Sequence, residues 1–97
     1  MYAAALRVEA RVPDVQSLKE KRHRIQAVFT VLNKKFPVSV SEVDHQDLWQ
    51  RTAIGVAVVA PQAGQLDRIL HSVERTLRHQ DGIEVLEIEV AHMERDR

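Results

Sequence analysis

The segment YAAALRVEARV, residues 2–12, decides the fold because apolar side chains recur in it at every second position. Two Arg and one Glu alternate with them, which is typical of a β-strand with one buried face. Ser17 and Glu20 then form a capping box, a pair of residues that marks the start of a helix. The change of period predicts a strand followed by a helix.

The same two periods continue along the chain. Apolar residues recur on one helical face from Leu18 to Phe36. Strands are predicted from Val38, over 53–60 and over 83–92, and a second amphipathic helix lies between the last two. Right-handed crossovers fold this βαββαβ order into a ferredoxin-like α+β sandwich, a four-stranded antiparallel sheet with both helices on one face. We expect residues 1–97 to form one such domain.

Two finer expectations concern the C-terminal third of the chain. Asp81–Gly82 is predicted to cap the second helix, because glycine commonly follows a helix. Alternation in the last strand places Leu86, Ile88 and Val90 on a single face.

Composition excludes several classes of protein. The chain has no Cys, which excludes disulfides and thiol chemistry, and its longest apolar run of eight residues is too short to span a bilayer. We therefore expect a cytoplasmic protein without membrane contact. Net charge is zero, but residues 17–35 sum to +5 and residues 81–97 to −4. Such asymmetry can steer a charged partner.

The block from Val43 to Arg51 carries more chemistry than a connection between strands requires. It holds the only Trp of the chain together with acidic, basic and imidazole side chains, and it contains neither Gly nor Pro. The candidate binding residues are six, four from this block and two from the first helix: Lys21, Arg22, Asp44, His45, Trp49 and Arg51.

Lys21 and Arg22 flank the apolar arc of the first helix. A long cation there either extends past the sheet edge or pairs with a carboxylate, for which Asp44 and Asp47 are the candidates. An ion pair that orients the hairpin and an anion-binding site both fit this pattern. Trp49 likewise either packs against the core or stays half-exposed as a contact for a partner or a nucleobase.

Both helices carry basic residues at positions that are predicted to face outward. They could form a shallow positive surface for phosphates, or a solvated face balanced by neighbouring acids. The candidate residues of this surface are Arg24, Lys34, Lys35, Arg68, His71, Arg75 and Arg78.

The other face of the sheet is predicted to be smooth near its centre. The residues that occupy it are small: Ala3, Ala5, Ala53, Gly55 and Ala57. The third strand has no aromatic residue on this face that could stack on RNA bases. Such a face suits packing against a second copy of the chain, or it is a short exposed patch without consequence.

No catalytic, metal or cofactor site is predicted. Asp44 and His45 are neighbours, but no Ser or Cys nucleophile lies near them. The His residues lack partners at metal-ligand spacing, since His71 and His79 are about 12 Å apart along a helix. The chain lacks a Gly between Val12 and Ser17, which disfavours a phosphate cradle at the first turn.

The chain resembles the YlxP-like family of small bacterial proteins of unknown function. The resemblance rests on SLKEKR at 17–22, on SEVDHQDLWQR at 41–51 and on GVAVV at 55–59. It implies a ferredoxin-like fold, a bacterial cytoplasmic setting and, because relatives are often encoded among translation and ribosome-maturation factors, association with RNA or the ribosome. It supplies no established activity.

These observations favour a non-enzymatic binding module for RNA or a ribosomal partner. The alternative is a structural or assembly protein that homodimerises through its open sheet face. An enzyme acting on a small anion is a third class, which requires Lys21, Arg22 and His45 to line one pocket.

Overall fold

The computed structural model describes residues 1–93, so the last four residues of the acidic C-terminal segment lie outside the described residues. Its elements follow the predicted βαββαβ order. Their bounds are β1 Tyr2–Arg11, α1 Leu18–Lys35, β2 Val38–Asp44, β3 Arg51–Ala60, α2 Ala63–Arg78 and β4 Glu84–His92.

All four strands join one antiparallel sheet in the order β2-β3-β1-β4. This is the strand order of a ferredoxin-like sandwich, and the predicted fold class is confirmed. The order puts β1 and β3 in the centre and leaves β2 and β4 as the two edges.

The core lies between the sheet and the helices. Even-numbered positions of the central strands supply its sheet side, with Leu6, Val8 and Val56 at most 1 % exposed. Leu32 from α1 and Val73 from α2 close it from above. Because strand side chains alternate, the odd-numbered positions face the opposite, open side of the sheet.

The start of α1 forms as the capping box predicts. The Ser17 hydroxyl accepts a hydrogen bond from the Glu20 N–H at 3.1 Å, and the Glu20 carboxylate accepts one from the Gln16 N–H at 3.1 Å. The N–H of Glu20 in the first turn and that of Gln16, one residue before the N-cap, are therefore satisfied.

The predicted end of α2 was wrong. The helix ends at Arg78 with His79 as its C-cap, three positions before Gly82. Gly82 instead adopts φ +93° in the turn that leads into β4. Glycine is needed there because this left-handed backbone is costly for other residues.

Both edge strands carry a β-bulge that alters the predicted faces. In β4 the register with β1 shifts between Glu9 and Ala10, so Val85, and not Leu86, lies opposite Ala10 on the core side. Leu86 is left in the bulge and is 46 % exposed. The shared face predicted for Leu86 with Ile88 and Val90 was wrong for this reason, since a bulge adds one residue to the strand.

Candidate functional site

The connection between β2 and β3 forms a tight bend, residues 45–50, beside the first turn of α1. His45 begins it in the left-handed region at φ 63°, and its N–H donates to Asp44 Oδ1 at 2.7 Å. The His45 carbonyl accepts from the Leu48 N–H at 3.0 Å. The Gln50 carbonyl accepts from the Val12 N–H at 3.0 Å, which ties the bend to the end of β1. These contacts fix its shape.

Lys21 reaches this bend from inside the protein. Its side chain is 1 % exposed, and Nζ lies 3.0 Å from Glu42 Oε2 and 2.5 Å from the His45 carbonyl oxygen. The same Glu42 oxygen accepts from the Thr52 hydroxyl at 2.7 Å. A buried ammonium is tolerated only when it is paired and hydrogen-bonded in this way.

The carboxylate that neutralises Lys21 is therefore Glu42, and the predicted partners Asp44 and Asp47 were wrong. The sequence pattern of β2 could have predicted Glu42 as the partner, because Val38, Val40 and Glu42 occupy alternate positions of this strand. Glu42 therefore points to the helix side of the sheet, where Lys21 lies.

A second ionic cluster lies on the open side of the sheet, centred on Glu9. Arg7 Nη1 is 2.7 Å from Glu9 Oε1, while His45 Nε2 and Arg51 Nη2 each lie 3.1 Å from Glu9 Oε2. Arg7 also contacts Asp44 Oδ2 at 3.1 Å. Arg7 and Glu9 were absent from the predicted set, because only the register of β1 with β3 brings them to the bend.

Opposing effects set the pKa of Glu9. Burial disfavours the carboxylate and pushes its pKa up, but hydrogen bonds from Arg7, Arg51 and His45 together outweigh this effect. The pKa of Glu9 consequently lies below its ordinary value. The hydrogen bond to Glu9 also raises the pKa of Arg7, so both groups stay charged at neutral pH.

Four of the six candidate binding residues are engaged with other groups of the protein, and two are exposed without a side-chain partner among the described residues. Lys21 is buried, and Asp44, His45 and Arg51 are engaged in the Glu9 cluster or its contacts. Arg22 is exposed on α1, and Trp49 is 50 % exposed at the bend. Trp49 is therefore presented to solvent and does not pack fully against the core.

The basic residues predicted on the helices are exposed with one exception. Arg24 is partly buried and donates to the carbonyls of Pro13 and Gly82, so it holds two loops together instead of facing solvent. The exposed members of the predicted surface are Lys34, Lys35, Arg68, His71, Arg75 and Arg78. Arg78 lies 3.3 Å from Glu74 on the same helix.

Charge is divided between the two layers of the sandwich. The helices carry nine Lys or Arg and three Asp or Glu, a net charge of +6. The strands carry three Lys or Arg and six Asp or Glu, a net charge of −3. The asymmetry seen along the sequence thus becomes a positive helical layer and a negative sheet.

The open face is less smooth than predicted. Ala53, whose register partners are Glu9 and Asp44, is fully buried. Val43, the extra residue of the bulge in β2, fills the space above Gly55. A Cβ added to Gly55 would lie 2.8 Å from Val43 Cγ1. The small residues that remain exposed lie toward the other end of the strands.

The three groups required for a small-anion enzyme point in different directions. Lys21 points into the interior, Arg22 to solvent, and the His45 imidazole to Glu9 on the open face. Within residues 1–93, no three His, Cys, Asp or Glu side chains converge as metal ligands. Neither of the two described helices combines the length and apolar character needed to cross a bilayer.

Comparison with known proteins places this arrangement in a family. Residues 3–90 match the family described as "Protein of unknown function (DUF503)". The chain belongs to this family. It is 42 % identical over 65 residues to the uncharacterized protein YlxP of Bacillus subtilis (strain 168), covering 67 % of this chain and 71 % of that protein. The resemblance predicted from sequence is confirmed.

The de novo designed protein Foldit4 matches with a TM-score of 0.49 at 14 % identity, over 97 % of this chain and 99 % of that chain.

The buried Lys21–Glu42 pair predicts a strong and specific effect on stability. Lys21→Met leaves the partly buried Glu42 carboxylate without its counter-ion, and we expect a loss of about 3 kcal/mol in the free energy of unfolding. Arg22→Met, at the exposed neighbouring position, is the matched control and should change it by about 0.5 kcal/mol or less. Urea unfolding of both variants measures the difference.

A second substitution separates the ion pair from simple packing. Adding Glu42→Gln to Lys21→Met removes the unpaired charge, so the double variant should regain part of the lost stability. Equal stability of Lys21→Met and Arg22→Met would contradict the structural role of Lys21.

The lowered pKa of Glu9 predicts a dependence of stability on pH. Its contribution is fully present above the pKa of an unfolded carboxyl, about 4.3, and is lost as pH falls through the lower folded pKa. The stability difference between the wild type and Glu9→Gln should therefore shrink on acidification.

NMR titration of the Glu9 carboxyl carbon measures the pKa of Glu9 directly, and Arg51→Gln should move this pKa upward. A value at or above the ordinary one would contradict the cluster.

Proposed function

We propose that this protein is a non-enzymatic binding module that associates with structured RNA, free or within the ribosome, through its helical layer. The observation that carries this proposal is the net charge of the two helices set against that of the strands, +6 against −3 in all and +5 against −2 once the buried Lys21–Glu42 pair is left out. Phosphate backbones are recognised chiefly by such surfaces of Lys and Arg.

The cations that remain available support a phosphate contact. Arg68, His71 and Arg75 occupy successive turns of α2 and are exposed, which spreads donors along about 10 Å of the helix. Lys34 and Lys35 extend the charge at the C-terminal end of α1. Arginine suits this role because its planar guanidinium can donate two parallel hydrogen bonds to one phosphate.

The bend adds a second type of contact at the other end of α1. Arg22 is exposed there, and Trp49 is held half-exposed on a connection whose backbone is hydrogen-bonded on both sides. A rigid aromatic side chain can stack on an unpaired base at little entropic cost. Four of the candidate residues do not contact RNA in this proposal. They hold the bend in its conformation: Lys21, Asp44, His45 and Arg51.

Removing two α2 cations tests the proposal. In fluorescence anisotropy with a labelled RNA hairpin, Arg68→Gln with Arg75→Gln should weaken binding and lower the slope of log affinity against log salt by about two. Arg11→Gln removes a single exposed cation that lies outside the helical layer, and it should lower the slope by less than one.

The same titration can report on Trp49. As the only Trp of the chain, it gives an unambiguous fluorescence signal that RNA should quench, and Trp49→Ala should weaken affinity about tenfold while Trp49→Phe retains most of it. Absence of RNA binding at both low and moderate salt, or an equal effect of Arg11→Gln, would contradict the proposal.

A second candidate function is homodimerisation through the open sheet face. Apolar groups are exposed at the end of this face away from the Glu9 cluster, with Val59 at 60 % and Met1 at 66 % exposure beside Ala5 and Ala57. Contiguous exposed apolar surface commonly marks an interface between protein chains. A second copy related by a two-fold axis would cover it.

Analytical ultracentrifugation tests the homodimer. The protein should sediment as a dimer at tens of micromolar, and Val59→Glu should return it to a monomer because a charge would be buried at the contact. Val43→Glu, on the same face but near Gly55, shows whether the whole face is involved. A monomeric wild type at this concentration would remove this candidate.

A further inference from the structure

The outer edge of β4 offers backbone groups for a further strand. Within the described residues, β4 ends the sheet and pairs only with β1. Exposed edges are usually protected by short length, by Pro, by charged residues or by a β-bulge. β4 contains neither Pro nor Lys, and its bulge at Leu86 leaves residues 87–92 in regular pairing with β1. The opposite edge, β2, is shorter, follows Pro37 directly and runs beside α1. The edge at β4 is therefore the more open one.

The two sides of β4 differ in chemistry. On the helix side, Ile88 and Val90 pair in register with core residues of β1, yet Val90 remains 47 % exposed because no other strand of residues 1–93 lies beyond it. On the open side, Glu87 and Glu89 are both exposed. A strand added here would meet apolar groups on one side and carboxylates on the other.

The carboxylates on the open side differ in how well β1 neutralises them. Glu89 lies opposite Arg7, which is attracted to it. Glu87 lies opposite Glu9, another acid, whose hydrogen bonds to Arg7, Arg51 and His45 already use the nearby cations. Glu87 therefore lacks a facing cation from the β1 side, and a cation arriving at the free edge would supply one.

We infer that β4 binds an extended, basic protein segment by strand addition, with apolar and cationic residues alternating along that segment. Its apolar side chains would cover Val90 and Ile88 on the helix side, and its cations would lie beside Glu87 and Glu89 on the open side. Backbone hydrogen bonds give affinity in this mode of binding, and the alternate side chains give specificity.

Charge decides between this occupant and a second copy of the chain. Antiparallel pairing of two β4 edges would bring the acidic residues of one copy against those of the other, and like charges in cross-strand positions are destabilising. The strand carries three Glu and no Lys or Arg, so a basic segment is the complementary partner.

A nine-residue peptide of alternating valine and arginine, labelled at one end, is the probe. It should bind the full chain in fluorescence anisotropy, and Glu87→Gln with Glu89→Gln should weaken binding about five- to tenfold. Asp67→Asn with Asp81→Asn removes the same charge elsewhere and is the matched control, expected to leave binding unchanged.

Two further peptides separate strand addition from charge attraction. N-methylation at alternate residues removes backbone donors without changing charge and should abolish binding, as should replacing every arginine with glutamate. Amide hydrogen exchange of the complex should show new protection in β4 and none in β2. Absent binding of the valine–arginine peptide, equal binding of the N-methylated form, or an equal effect of the control variant would overturn the inference.

Discussion

The ammonium group of Lys21, enclosed beneath the first turn of α1, is the contact on which the shape of the bend depends. It donates to the carboxylate of Glu42 on the edge strand and to the carbonyl of His45, where that strand ends. A charge so deeply buried tolerates little displacement of its partners, because an unpaired ion in the interior costs several kcal/mol. Helix, edge strand and bend are therefore held at fixed positions relative to one another.

His45 connects this buried pair to the ionic cluster on the other side of the sheet. Its carbonyl accepts from Lys21, whereas its imidazole contacts Glu9. The His45 backbone, which places its carbonyl toward Lys21 and its imidazole toward Glu9, is in the left-handed region. Non-glycine residues adopt this conformation only at special positions. Most of the ionisable groups gathered at the bend thus act on one another, whereas Arg22, Asp47 and Trp49 are exposed.

The layered charge gives the molecule two surfaces suited to partners of opposite sign. The helical layer is positive and shallow, and the β4 edge is negative and extended. The two surfaces use different physics, since phosphate contacts depend on exposed cations and salt, whereas strand addition depends on unpaired backbone groups. The geometry of Lys21, Arg22 and His45 argues against a shared pocket for a small anion.

The order of elements and the inward faces of the central strands and of the helices were determined by the sequence itself. Periods of two and 3.6 and the capping box at Ser17 act over a few residues, and local steric rules are sufficient to interpret them. The proximity of α1 to the bend was also expected, because the chemistry of Lys21 required a carboxylate or an exit to solvent. The family resemblance rested on the same local motifs.

Only the tertiary structure decided which charges pair. Glu9 and Arg7 lie more than thirty residues before the bend, and the antiparallel register of β1 with β3 brings them to it. The bulges at Val43 and Leu86 shift the faces of both edge strands by one residue, an outcome that strict alternation cannot predict. Strand register, edge position and burial depend on contacts distant in sequence, and for that reason the ionic clusters and the open edge became visible only in the folded chain.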